Sequence, residues 1–272
     1  MRLFVSADIE GTAGIVNWKE TEPGDRYAYF AGQMTKEVTA ACEGALDGGA
    51  SEILVRDAHD SARNLDPSAM PRRVRILRGW TGGPAGMMDG LDESFQAAAM
   101  TGYHTCAGSD GNPLAHTMNL GVEKVTLNGM PCSEFTLNAM YAASLKIPVI
   151  FISGDEMICE MAKELCPAIT TVATSRGIGG GSVGLHPEEA KERIKDGMTE
   201  AVSRLYSQRR AGEPSGCLIP APKHFCLCVE YREHKKAYTS SFYPGAVKTG
   251  PKTVMYEAND YMDVLKFVMF CL

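Results

Sequence analysis

Two hydrophobic periods alternate along the chain. The stretch RLFVSA, residues 2–7, is apolar on both faces, as expected of a strand buried in a parallel sheet. Met34, Val38, Ala41 and Ala45 then recur at helical spacing, which predicts a helix from Tyr27 to Leu46 that Gly48–Gly49 ends. EILVRDAH supplies a second strand and VRILRG a third. FQAAAMTGYH reads as a fourth, although its alanines fit a helix equally well. VEKVTLNGMPCSE places an Asn128–Gly129 turn between two short strands, and a helix follows over Phe135 to Leu145. IPVIFISG is another buried strand. After it, Ile158, Met161, Ala162 and Leu165 stripe a helix from Asp155 to Cys166, with Asp155 as its N-cap. ITTVATS is a strand that runs into the glycine-rich loop RGIGGGSVG. A longer helix is predicted from Pro187, with His186 as its start residue, to about Tyr206. Strands near 224–231 and 253–257 and a closing helix complete the pattern.

Alternating strands and helices predict an α/β fold of three layers around a largely parallel or mixed sheet, with a smaller α+β portion at the C-terminus. RRAGEPSGCLIPAP is the candidate linker. It divides the chain into a catalytic portion, 1–212, and a smaller portion, 213–272, packed on it.

Composition narrows the class. The 272 residues are 44% hydrophobic and 22% charged, as in an ordinary globular protein. The 27 basic against 33 acidic residues give a net charge of −6, which argues against a nucleic-acid partner. The longest basic cluster, REHKK at 232–236, reads as a solvated turn. No apolar run reaches the roughly 20 residues that span a bilayer, so no membrane partner is expected. Asp8 and Glu10 interrupt what would be a leader's apolar region. Nine cysteines, an odd number without framework spacing, point to free thiols in a reducing cytoplasm. Cys226 and Cys228 share one face of an apolar strand and read as core packing.

The chemistry concentrates at strand ends. Residues i and i+2 of a strand share a face, so Asp8 and Glu10 project together from the carboxyl end of the first strand, where open α/β sheets bind ligands. The second strand ends at Asp57 and His59, the fourth at Tyr103 and His104. The Asn128–Gly129 hairpin delivers Glu134 to a helix start, and His116 lies in the preceding loop. Three carboxylates and two or three histidines form a ligand set used by divalent metals. A binuclear zinc site balances electrically: two Zn²⁺ ions against Asp8, Glu10, Glu134 and one hydroxide. Without such compensation the acidic pair reads as a solvated turn. Asp57, two residues before His59, is placed to orient its imidazole. GxGxxG at Gly179, Gly181 and Gly184 raises a dinucleotide site as a rival. Pro187 and the lack of an acid-tipped strand some 20 residues later weigh against it.

SADIEG, RDAHD, TGYH, AHTMNLGV and LNGMPCSEFTLNA together resemble, in order and spacing, the DppA-type zinc D-aminopeptidase family. The resemblance implies an α/β enzyme with two zinc ions per subunit, for which Mn²⁺ or Co²⁺ are alternatives. Asp8 would bridge the ions, Glu10 and His59 would complete one, and His104 and Glu134 the other. His116 is implied as the catalytic histidine. The implied reaction is removal of N-terminal residues, with preference for D-amino acids, from short peptides or amides through a metal-bridging hydroxide. The implied assembly is a homo-oligomer, a ring-shaped decamer. The loop SRGIGGGSVG departs from the family pattern. Two other classes remain open at this point: a different metal-dependent amidase using the same site, and a non-catalytic, metal-bearing peptide-binding assembly.

Overall fold

The computed structural model describes all 272 residues. Its centre is a seven-stranded sheet built from β1 (Arg2–Ala7), β2 (Glu52–Asp57), β3 (Val74–Leu77), β4 (Ala97–Tyr103), β7 (Val149–Asp155), β8 (Thr170–Ile178) and β9 (Gly181–Gly184). The spatial order is β3-β2-β1-β4-β7-β8-β9, parallel throughout except for the β8–β9 pair. Both faces of β1 and all of β4 and β7 are buried, which is why these strands read as continuous apolar runs. The alanines of β4 therefore form a strand. Helices α1 (Tyr27–Asp47) and α4 (Pro187–Ala211) pack together over one face, whereas α2 (Glu134–Ser144) and α3 (Glu156–Leu165) cover the other. The result is the expected three-layer α/β fold.

A second, antiparallel sheet has the order β11-β12-β10-β5-β6. It joins β5 (Val122–Leu127) and β6 (Met130–Pro131), on either side of the Asn128–Gly129 turn, to β10 (Phe225–Tyr231), β11 (Val247–Lys248) and β12 (Thr253–Ala258). The closing helix, α6 (Tyr261–Cys271), packs on β12 and reaches α2. This sheet takes β5 and β6 from before α4 and β10, β11 and β12 from after it, so strands on both sides of that helix pair in one sheet.

Three details differ from the sequence reading. RGIGGGSVG is no open loop. It closes the β8–β9 hairpin, with Gly179 at φ +55° in the turn, so its glycines serve a tight reversal and not a pyrophosphate. The basic cluster is solvated as expected, yet it leads into a short helix, α5 (His234–Ser240). The first strand stops at Ala7, and Asp8 to Glu10 belong to the turn beyond it.

Candidate metal centre

In this sheet the winding reverses between β1 and β4, and the crevice at such a point is where open α/β folds place ligands. The two strand ends are stitched together there. The Asp8 N–H donates to the Thr101 carbonyl at 2.9 Å and the Gly11 N–H to the Gly102 carbonyl at 2.8 Å. Gly102 has φ +68°, and a Cβ there would lie 2.2 Å from the Asp8 carbonyl oxygen, so only glycine permits this approach.

All five predicted ligands and His116 converge on this crevice. His59 Nδ1 lies 3.4 Å from Asp8 Oδ1 and 3.2 Å from Glu10 Oε2. His104 Nε2 lies 3.6 Å from Asp8 Oδ2 and 3.5 Å from Glu134 Oε2. Asp8 therefore gives one oxygen to each of two ligand sets, Asp8–Glu10–His59 and Asp8–His104–Glu134. His116 Nε2 sits 3.5 Å from Glu134 Oε1 and 3.9 Å from Glu10 Oε1. Its ring stacks on His104 at 4.2 Å between centroids, with Trp18 edge-on at 5.1 Å. Glu10, His104 and His116 form a third, overlapping triplet.

The backbone decides which ring nitrogen faces inward. His59 Nε2 meets the Thr21 carbonyl at 3.0 Å, His104 Nδ1 the Thr105 carbonyl at 2.9 Å, and His116 Nδ1 the Leu114 carbonyl at 2.9 Å. A carbonyl only accepts, so each of these nitrogens carries hydrogen, and in the neutral ring the opposite nitrogen turns its lone pair toward the centre. What faces it are carboxylate oxygens, which also only accept.

This arrangement fits metal ions. Two ligand atoms each 2.0–2.2 Å from one tetrahedral ion are separated by about 3.3–3.6 Å. The carboxylate–imidazole separations within the two sets, 3.2–3.6 Å, lie close to that spacing and at or beyond the long end of ordinary hydrogen bonds. Eight buried side-chain polar atoms in the chain lack a hydrogen-bond partner. Four of them, Asp8 Oδ2, both Glu10 oxygens and His104 Nε2, are here. So many orphaned acceptors in one crevice mark the place of a cation.

Without a cation, the groups titrate against one another. Burial and the neighbouring Glu10 charge push the Asp8 carboxyl well above its usual range. Burial acts on Glu10 in the same direction, but the His59 charge outweighs it and holds that carboxyl low. Burial likewise opposes the ionised Glu134, and His104 holds it low. His59 is pushed up to about 12, because Glu10 and Asp8 overcome the cost of burying its cation. His104 is raised for the same reason, chiefly by Glu134. His116 moves the other way: burial and the adjacent His104 lower it, which favours a neutral imidazole.

Supporting residues differ in part from expectation. Asp57 does not touch the His59 ring. Its carboxylate accepts from Asn64 N at 2.6 Å, Asn64 Nδ2 at 2.7 Å and Leu65 N at 2.8 Å, and so shapes the loop that carries His59. Asp155 caps α3 through Ile158 N at 2.8 Å, as its position predicts, and also accepts from Thr105 N at 2.7 Å, anchoring the loop of His104. His186 caps α4 through Glu188 N at 3.2 Å. Glu134 opens α2 behind the Ser133 N-cap, and the Met118 N–H donates to its Oε1 at 2.7 Å. Sequence reasoning missed Trp18 and Trp80, which line the crevice mouth. Their rarity, two in 272 residues, was the available signal.

Comparison with known proteins agrees with the geometry. The family model Peptidase M55, described as D-aminopeptidase, matches residues 1–270. A D-aminopeptidase of Bacillus subtilis (strain 168) is 29% identical over 273 residues, covering 99% of this chain and 96% of the relative. A solved structure, "Zn-dependent D-aminopeptidase DppA from Bacillus subtilis, a self-compartmentalizing protease", has a TM-score of 0.89 at 27% identity. It covers 100% of this chain and 96% of that one. On sequence, fold and the clustering of acids and imidazoles alike, this chain belongs to the D-aminopeptidase family of peptidases.

Proposed function

We propose that this chain is a zinc-dependent aminopeptidase with two ions per subunit, acting on short peptides or amides and preferring an N-terminal D-residue. Asp8, Glu10 and His59 would hold one ion, and Asp8, His104 and Glu134 the other. The observation that carries it is the division of Asp8 between two ligand sets, Oδ1 beside His59 and Oδ2 beside His104. Bound there, zinc supplies Lewis acidity toward the scissile carbonyl and lowers the pKa of water.

The protein's own groups do the rest. Asp8, Glu10 and Glu134 neutralise most of the charge of two divalent ions. Thr21, Thr105 and Leu114 hold the three imidazoles in one tautomer through their carbonyls. His116, beside the ligand sets but shared by neither of the Asp8 sets, is the catalytic histidine. Its Nε2 takes a proton during attack and returns it to the departing amine, for which a neutral imidazole is the competent state. Trp18 and His104 fix the plane of that ring.

Similarity to a self-compartmentalizing protease supports a homo-oligomer, and we extend this to a decamer. Nine free cysteines support a reducing compartment such as the cytoplasm, and no helix is long and apolar enough to cross a membrane.

The test pairs metal content with turnover. Zinc-saturated protein should carry two ions per chain, and Asp8→Ala should lose both. L- and D-alanyl amides should be cleaved at unequal rates, D faster. His116→Ala should keep its zinc and lose about 10²–10⁴-fold in kcat. Equal rates remove the stereochemical preference, and undiminished turnover in His116→Ala removes that residue from the chemistry.

A further inference from the structure

Both tryptophans of the chain line a single cavity of about 340 Å³ whose floor is the candidate metal centre. Tryptophans placed independently over a surface seldom meet in this way. Trp80 is 46% exposed, yet it is held on two sides. Its indole N–H donates to the Asp60 carbonyl at 2.6 Å, and the Arg56 guanidinium lies 4.4 Å from the ring centroid. Arg56 is itself fully buried in β2 and donates to the Gly79 carbonyl at 2.6 Å, immediately before Trp80. A buried cation under an exposed ring stabilises one ring position and leaves the other face open.

Part of the remaining wall is apolar. Met87, Met118 and Leu120 also line the cavity. Asp60 and Met118, which also line it, have φ of +43° and +66°, left-handed conformations uncommon for residues other than glycine. Backbone held this way marks a site whose shape is over-determined by its surroundings. The cavity's charge is one-sided. Asp8, Glu10 and Glu134 belong to its floor, Glu22 and Asp60 are exposed at its mouth, and no lysine or arginine lines it.

We propose that this cavity is a specificity pocket for an N-terminal residue that has a free ammonium and a large apolar or aromatic side chain, with Trp80 as the wall the side chain stacks on. The inference rests on the aminopeptidase reading above. The ammonium meets the acidic mouth, where Glu22 and Asp60 supply opposite charge. No lysine or arginine side chain lines the cavity to pair with a C-terminal carboxylate, so the side chains that add to recognition there favour the N-terminal end of the substrate. Arg56 is a positioning residue, acting on the substrate only through Trp80.

The pocket reports on itself, since all tryptophan fluorescence of the chain arises from it. Zinc-saturated protein is titrated with ethanolamine, leucinol and phenylalaninol, in both enantiomers, and with N-acetylphenylalaninol; none has a bond to cleave. Phenylalaninol should bind at least about tenfold more tightly than ethanolamine, as expected for burial of a benzyl group against an indole. Removal of the ammonium by acetylation should weaken binding by a similar factor. Trp80→Ala should reduce the phenylalaninol-to-ethanolamine ratio below about threefold while zinc content stays at the wild-type value, with Trp18 remaining as reporter; Trp80→Phe should restore most of the ratio. A ratio near one in the wild type, or a full ratio in Trp80→Ala, overturns the pocket. Turnover of alanyl amides is measured on the same preparation. Turnover with a flat side-chain ratio sinks the pocket alone, whereas a steep ratio without turnover sinks the peptidase reading and leaves the pocket standing.

Discussion

A carboxylate inside a protein persists only where something opposes its charge, and this chain contains two different solutions side by side. Asp8, Glu10 and Glu134 are each less than 5% exposed and face imidazoles. Glu37, buried on α1, faces no cation at all. Its Oε1 accepts from Ala13 N at 3.0 Å and from Gln33 at 3.5 Å, while its Oε2 has no partner. Burial accordingly pushes this carboxyl up to about 7. The folded-state pKa lies above the unfolded value of about 4.3, so the fold favours the protonated form. Its full contribution is present below the unfolded pKa and is lost as pH rises through about 7. The expected outcome for Glu37→Gln is a flatter stability curve, with a gain over wild type that grows between pH 5 and pH 8. The ceiling is on the order of 3 kcal/mol from the shift alone. Urea midpoints of both proteins at pH 5 and pH 8 check this, and parallel curves would disprove the assignment to Glu37.

Among the secondary elements, the strands and helices nearest the site were legible because each carries its own signal. Buried strands showed as apolar runs, Asp155 and His186 as caps, and the ligand residues as polar interruptions at strand ends. Asp8 and Glu10 meet in the crevice, but not by sharing a strand face. The strand ends at Ala7, and it is the turn closed by the Asp8 and Gly11 backbone bonds that aims both acids inward. What stayed hidden depends on contacts between segments distant in sequence. Thr21 holds the His59 ring across 38 positions, and Arg56 supports Trp80 from a neighbouring strand. The pairing of β5 with β10 spans about a hundred residues, and no local pattern announces it. Asp155 joins both kinds of information, capping α3 locally and accepting from Thr105 across 50 positions. Asp155→Ala should therefore cost more than an isolated cap, about 2–4 kcal/mol, since it also orphans a buried N–H. It should also weaken zinc retention through the His104 loop. Denaturant unfolding and zinc content after dialysis provide the readouts; a loss near 1 kcal/mol with full zinc would confine Asp155 to capping.

At the scale of the whole molecule, the centre joins elements that no single segment unites. Its residues come from the ends of β1, β2 and β4, from the loop before β5 and from the start of α2. The loop before β5 and the start of α2 flank the hairpin β5–β6, which also belongs to the second sheet, so metal bound at the crevice ties both sheets together. Metal binding that requires the folded arrangement adds directly to folding stability, by about 4 kcal/mol when free zinc exceeds its dissociation constant a thousandfold. Chelation should thus lower the melting temperature by several degrees, and restored zinc should recover it. The ligands also impose a sign on pH dependence. As zinc ligands His59 and His104 would have to be neutral imidazoles, while in the metal-free crevice the surrounding carboxylates favour the protonated rings. Zinc uptake near pH 7 must then expel about one proton per ion, and affinity should fall as the solution is acidified. Calorimetric titration in buffers of different ionisation enthalpy counts those protons. Uptake without proton release would place the zinc away from these two histidines, and a melting temperature indifferent to chelator would show that the crevice is held together by the protein alone.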